Sequence, residues 1–323
     1  MASAVAPRWA SCGVNRAIFF AIALWSWAAG LAAAECLSAP ALTGETATGP
    51  ITTDRSGHLV APVMVNGQGP FRFIVDTGAN RSVLSRGLAE RLGLVTTGTG
   101  LVHSIDGSRE APLAQISSLR YGDLDLPSGP MPLMDSPVLA GEQGLLGVDG
   151  MRGRRLLLDF EQRCIEIAPS RDAASLHRWT MVRGQLRFGH LVVVRGSVSG
   201  LRGNILIDTG ADTSLANTAL QEALRVRLRH DETRFRMNRA HTVAQTVVLD
   251  NAVVLSDLKM GELELDNVIA FVGDYHIFSL WGLTLEPTLL IGMDVLSQTR
   301  GLAIDYASAR VFFRVDERRN RRR

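Results

Sequence analysis

Two short stretches of this 323-residue chain could do acid–base chemistry together. Asp76-Thr77-Gly78-Ala79 and Asp208-Thr209-Gly210-Ala211 repeat one pattern at an offset of 132 residues. A carboxylate can take a proton from water while a carboxylic acid gives one to a carbonyl oxygen, so two facing acids could hydrolyse an amide bond. Like charges about 3 Å apart cannot both ionise, and such a pair shares one proton while its two ionisations move apart. The position of that proton is a property of the pair and is not set by either sequence copy alone. A single Asp-Thr-Gly triplet reads as an ordinary turn, because Asp bonds its own backbone and Gly accepts positive φ. The context of the two copies says more.

Each triplet ends an apolar, β-branched run, residues 71–75 and 205–207, which reads as a buried strand delivering the acid to its tip. Each is followed by a second apolar segment ending in Gly-x-Asp, Leu145-Leu146-Gly147-Val148-Asp149 and Leu290-Ile291-Gly292-Met293-Asp294. Closing hairpins come next, at residues 156–167 and 302–313. The anchors keep their order, with Gly147 matching Gly292 and Asp159 matching Asp305, so the chain carries an internal duplication whose unit is a small domain. Gly147 and Gly292 are expected to allow close backbone approach beneath the active loops, and Asp149 and Asp294 to brace them. Around these anchors, Asn66-Gly67 marks a hairpin turn between strands at 59–65 and 71–75. Residues 85–92 and 218–227 have helical spacing, the region 96–107 is strand-poor, and strands resume at 114–119 and near Leu124.

Composition sets the frame. Glycine is plentiful at 31 residues and aromatics are few at 6%, which favours a β-rich fold with many tight turns. Residues 1–34 read as a secretory signal peptide or an N-terminal anchor, with Arg8 and Arg16 ahead of an apolar run and Ala32-Ala33-Ala34 as a small-residue exit. Glu35 stands where a lipoprotein cleavage site needs a small residue, which argues against lipidation at Cys36. The expected place is therefore outside the cytoplasm, periplasmic or secreted, and membrane-anchored if the segment is retained. Cleavage after Ala34 removes two of 34 basic residues and none of 32 acids, leaving a nearly neutral chain. It keeps Cys36 and Cys164, which an oxidising compartment would permit to pair. Residues 35–57 read as a flexible lead-in, 58–168 as the first lobe, 169–183 as a linker, 184–316 as the second lobe, and 317–323 as a basic, solvated tail. No nucleic-acid motif, metalloprotease His-Glu-x-x-His, P-loop or Gly-x-Ser-x-Gly elbow is present.

The paired Asp-Thr-Gly-Ala loops with their Gly-x-Asp braces resemble the retropepsin-like aspartic proteases, over residues of about 58 to 315. Each half is similar to one retroviral-type monomer, and the two in tandem are similar to pepsin in organisation. The second copy, Asp208-Thr209-Gly210-Ala211-Asp212-Thr213-Ser214, is the closer one; the first continues as Asn80-Arg81-Ser82. The resemblance implies an all-β fold of two acid-protease lobes and an aspartic endopeptidase working as a monomeric pseudodimer on peptide or protein substrates, with no cofactor and no metal. It implies Asp76 and Asp208 as catalytic residues, Thr77 and Thr209 as hydrogen-bonding partners across the lobes, and Gly78 and Gly210 as the positions that keep side chains away from the carboxylates. Flaps fall by position at 102–107 and 240–245, neither matching the family's flap sequences, and His103 and His241 within them read as solvated loop residues. An alternative reading is a catalytically impaired peptide-binding protein of the same fold, motivated by those flaps and by Arg81, whose charge would favour ionised carboxylate. A further alternative pairs each half with a second chain, as in the retroviral homodimer.

Overall fold

The computed structural model describes residues 45–105, 107–135, 139–172, 176–235, 247–248 and 251–315. The expectations for the N-terminal segment 1–34, for Cys36, for the second flap at 240–245 with His241, and for the tail 317–323 lie outside those residues.

The fold is mostly β, in two lobes built from the same parts. In the first, strands Leu59–Val65 and Gln68–Val75 form a hairpin through Asn66-Gly67. Both turn residues have positive φ, 49° and 75°, as the Asn-Gly pair predicts for a two-residue connection. The second strand is exposed where it starts and buried at Phe73, Ile74 and Val75, so its apolar run is the part that enters the core. The short strand Gly144–Leu146 lies parallel to residues 73–75 and antiparallel to Val83–Ser85. The second lobe repeats this: Leu191–Val198 pairs with Leu201–Ile207, and Thr288–Ile291 runs parallel to residues 204–207 and antiparallel to Leu215–Ala216. One continuous hydrophobic core includes Phe73, Leu84 and Leu146 from the first lobe and Ile205, Leu290 and Phe313 from the second.

The lobes share a six-strand platform. Its order is Ala47–Pro50, Cys164–Pro169, Arg154–Asp159, Gly301–Asp305, Arg310–Arg314 and Thr180–Arg187. The two closing hairpins meet at its centre, where Arg154–Asp159 pairs antiparallel with Gly301–Asp305 from Arg155 opposite Asp305 to Asp159 opposite Gly301.

Several expectations change. The lead-in of 35–57 is structured from Ala47 onward, because Cys164–Pro169 offers an open edge whose backbone groups Ala47–Pro50 satisfies despite a composition that lacks strand periodicity. Strand Thr180–Arg187 begins inside the span expected to be a linker and fills the equivalent place at the other edge. The region 96–107 is a long hairpin rather than strand-poor: Thr96–Ser104 pairs with Gly107–Ile116 from Thr96 opposite Ala114 to Ser104 opposite Gly107. Helix Arg86–Arg91 is as expected, with the Ser85 side chain accepting from the Leu88 N–H, whereas the second helix, Thr218–Phe235, runs beyond residue 227. Among the described residues no helix is long and apolar enough to cross a membrane.

Candidate active site

Asp76 and Asp208 each sit one residue beyond a buried strand. The Asp76 N–H donates to the Leu146 carbonyl at 3.0 Å and the Asp208 N–H to that of Ile291 at 3.1 Å, so each acid is held by the parallel strand next to its own. The Gly78 N–H donates to Asp76 Oδ1 at 2.8 Å, and the Gly210 N–H to Asp208 Oδ1 at 2.9 Å. The two carboxyl groups are in hydrogen-bonding contact with each other. A Cβ on Gly78 would land on the Asp208 carboxyl, and one on Gly210 on that of Asp76, so these glycines are what lets the acids approach.

The threonines lock the two loops together. Thr77 Oγ1 donates to the Ile207 carbonyl at 2.8 Å and accepts from the Thr209 N–H at 3.1 Å. Thr209 Oγ1 donates to the Val75 carbonyl at 2.6 Å and accepts from the Thr77 N–H at 3.1 Å. Both residues are buried, so each lost partner would cost on the order of 1–3 kcal/mol. A merely satisfied strand-end hydroxyl would bond within its own half; these bond across.

A brace stands behind each loop. Ser82 Oγ donates to Asp149 Oδ1 at 2.8 Å and accepts from the Gly147 N–H at 3.1 Å. In the second lobe Ser214 Oγ makes the same two bonds, to Asp294 Oδ1 at 2.8 Å and from the Gly292 N–H at 3.1 Å. The Val148 and Met293 N–H groups tie back to the Ala79 and Ala211 carbonyls. A Cβ on Gly147 would sit 2.6 Å from the Arg81 backbone, and one on Gly292 2.8 Å from the Ala211 and Thr213 carbonyls. Gly147, Gly292, Asp149 and Asp294 therefore do what their spacing suggested. Sequence reasoning passed over Ser82 and Ser214 as braces, although each lies six residues after its aspartate.

Burial pushes both acids above the ordinary carboxylate range. For Asp76 the shift is large, with the Asp208 charge and the bond between the two acids adding to it and the Gly78 and Ala79 N–H groups opposing. For Asp208, burial is opposed by the Gly210 N–H, the bond from Asp76, the Ala211 N–H and the charge of His58. The pair is thus suited to holding one proton between two oxygens. Among the described residues no group of three or more His, Cys, Asp or Glu side chains is placed to hold a metal ion.

The hairpin of the first lobe reaches the second. The His276 N–H donates to the Ile105 carbonyl at 3.0 Å, where His276 opens the short helix His276–Leu280. His103 Nδ1 lies 3.1 Å from His276 Nε2, and Ser108 Oγ lies 3.0 Å from each of those nitrogens. With ring centroids 5.4 Å apart, the imidazoles meet edge to edge. His103 is therefore exposed yet partnered, and its contact with His276 was not foreseen. Arg81 donates to the Pro130 carbonyl at 3.0 Å, within its own lobe. Asn80 packs beside Gly189 of the second lobe.

The sequence profile of the aspartyl protease family matches residues 61–149 and 194–295, together more than half of the chain and one region in each half. A comparison with curated proteins finds no match.

Proposed function

The chain belongs to the aspartyl protease family, and from that premise we propose that it is an aspartic endopeptidase in which Asp76 and Asp208 of one chain activate water against a peptide carbonyl. The observation that carries this reading is the contact of the two carboxyl groups at the tips of duplicated strands. One carboxylate accepts a proton as water attacks, and the other acid protonates the carbonyl oxygen. The long hairpin bonded to the opposite lobe gives the site a cover of the kind a peptide-binding groove needs. Purified protein should cleave unstructured peptides, and Asp76→Asn or Asp208→Asn should lower kcat by about 100-fold or more with the fold kept by circular dichroism. Cleavage by either variant at the wild-type rate would refute it.

The competing peptide-binding reading rested on the flap sequences and on Arg81 disturbing the proton shared by the acids, and the Arg81 part of it can be weighed against the structure. Its guanidinium is bonded to Pro130, and the principal influences on both acids come from other groups, which favours turnover. Both acids come from one chain, which favours a monomer over a homodimer and predicts specific activity independent of protein concentration. Export is supported by Cys164, which is disulfide-bonded and so suits a periplasmic or secreted protein. Sequencing the N-terminus of the mature protein would decide between cleavage after Ala34 and a retained anchor.

A further inference from the structure

The long hairpin carries a contact between the lobes that the chemistry of the acids does not use. Its second strand pairs with Gly129–Met134, which runs parallel to Val83–Ser85, the strand that leaves the first active loop. Its tip meets helix His276–Leu280, which follows Leu263–Val272, and that strand runs parallel to Leu215–Ala216 at the exit of the second active loop. The hairpin therefore reaches from the sheet behind one acid to the sheet behind the other. That span is what lets it serve as the cover of the site.

At the tip, the backbone bond from the His276 N–H to the Ile105 carbonyl is joined by the side chains of His103, Ser108 and His276. The two imidazole planes are 20° apart, with centroids separated by 5.4 Å and the facing nitrogens, His103 Nδ1 and His276 Nε2, by 3.1 Å. The centroid separation is the longer by about one ring width, so the two nitrogens face each other along the line joining the rings. A metal ion shared by them would need lone pairs converging to one side of that line. Nitrogens in line hold a proton between them instead, one ring donating its N–H and the other accepting.

We propose that His103 and His276 form an acid-released latch on this cover. The inference rests on the endopeptidase reading and gives that site a regulation. With both rings neutral, or with one proton added to the pair, a donor still faces an acceptor. With both rings protonated each facing nitrogen is a donor, two cations stand side by side, and the bond in line is lost. Ser108 Oγ can accept from an imidazolium only after that ring turns off the line, and the cations still repel. The latched tip thus takes up fewer protons than the free one, which fixes the sign: the latch holds at neutral pH and gives way as the pH falls through the range in which imidazole protonates, about pH 8 to 5. Acidity, which keeps the shared proton on the aspartates, then also uncovers them.

The charges around the latch do not replace what the second proton removes. Cross-strand partners share a face, so Glu110, opposite Leu101, lies on the His103 and Ser108 side of the hairpin, and Arg109, opposite Val102, lies on the other. Gly129–Met134, paired with the hairpin, carries no charged residue. On the opposite side, helix His276–Leu280 carries none besides His276. Ahead of it, Asp274 accepts from Thr218 Oγ1 at 2.7 Å, and burial pushes the Tyr275 phenol up, so it stays neutral in this range. Asp106 lies outside the described residues. Glu110 is the charge placed to aid protonation of His103, but it is exposed and screened, and it supplies no acceptor between the rings.

The test is amide hydrogen exchange on the purified full chain, read as protection factors corrected for the intrinsic pH dependence of exchange. The His276 amide is the direct reporter, because it donates to Ile105 across the lobes. Between about pH 7.5 and about pH 5, protection at His276 and along the hairpin tip should fall about fivefold or more, while strands Leu59–Val65 and Leu201–Ile207 keep theirs. His276→Gln and His103→Gln each put a side chain that does not titrate in place of one imidazole, and protection at the tip should then be the same at both pH values. Glu110→Gln should leave the wild-type fall in place. Unchanged protection in the wild type would overturn the inference. So would a fall that survives in both histidine variants, or one that disappears in Glu110→Gln. None of these readings needs turnover, so an inactive protein would refute the endopeptidase reading while exchange still decides this one.

Discussion

The Asp76 carboxyl is raised because burial and the Asp208 charge disfavour its ionised form, and this has a consequence for stability with a definite sign. A group whose pKa is higher in the folded state lends stability that is fully present below the ordinary carboxylate range and is lost as pH rises through the raised value. Asparagine at this place never ionises and so never incurs that loss. Asp76→Asn is therefore expected to melt with the wild type in strong acid and a few degrees above it at neutral pH, measured by calorimetry. Equal melting temperatures at every pH would mean the acids are not desolvated as described. The aspartates, threonines and glycines were legible because a rare triplet occurs twice behind the same kind of strand. Ser82 and Ser214 were not, since serine after a turn is commonplace and only the bonds to Asp149 and Asp294 distinguish them.

Strands with one buried face announce themselves by alternation, which is why Leu59–Val65 and Gln68–Val75 could be placed beforehand. Thr96–Ser104 could not, because none of it is buried and it carries Gly98 and Gly100, so no buried face imposes a period. Its pairing with Gly107–Ile116 is a matter of backbone bonds, and its tip is steadied from the opposite lobe by the His276 N–H and by His103, Ser108 and the His276 ring. Nothing in the sequence relates residues 173 positions apart in this way. His276→Ala removes the ring contacts while leaving the backbone bond. The hairpin tip around residues 104–108 should then be cut several-fold faster in limited proteolysis, with protection of the core strands unchanged. An unaltered cleavage rate would mean the side chains add nothing to the backbone tie.

The platform turns two lobes into one folding unit. Separated, either half would leave a long inner edge unpaired, Arg154–Asp159 in one case and Gly301–Asp305 in the other, and would lose its share of a common core. The intact chain is expected to unfold in a single calorimetric transition, and residues 45–172 or 176–315 expressed alone to be unfolded or aggregated by circular dichroism and light scattering. Two well-separated transitions would show that the platform does not couple the lobes. The duplication itself was legible from three anchors in order, whereas the platform was not, because its edges Ala47–Pro50 and Thr180–Arg187 lay in or ran out of segments whose composition reads as tether. Joining the halves through Arg154–Asp159 and Gly301–Asp305 also releases them from having to be copies. In an assembly of identical subunits every substitution is made on both sides at once, and the groove reads the same from either end. Here Asp54 answers to Leu186, Arg81 to Thr213 and Asn80 to Asp212, each change falling on one side only. A polypeptide has an N-to-C direction, and a groove with unlike ends can tell which way round it is held.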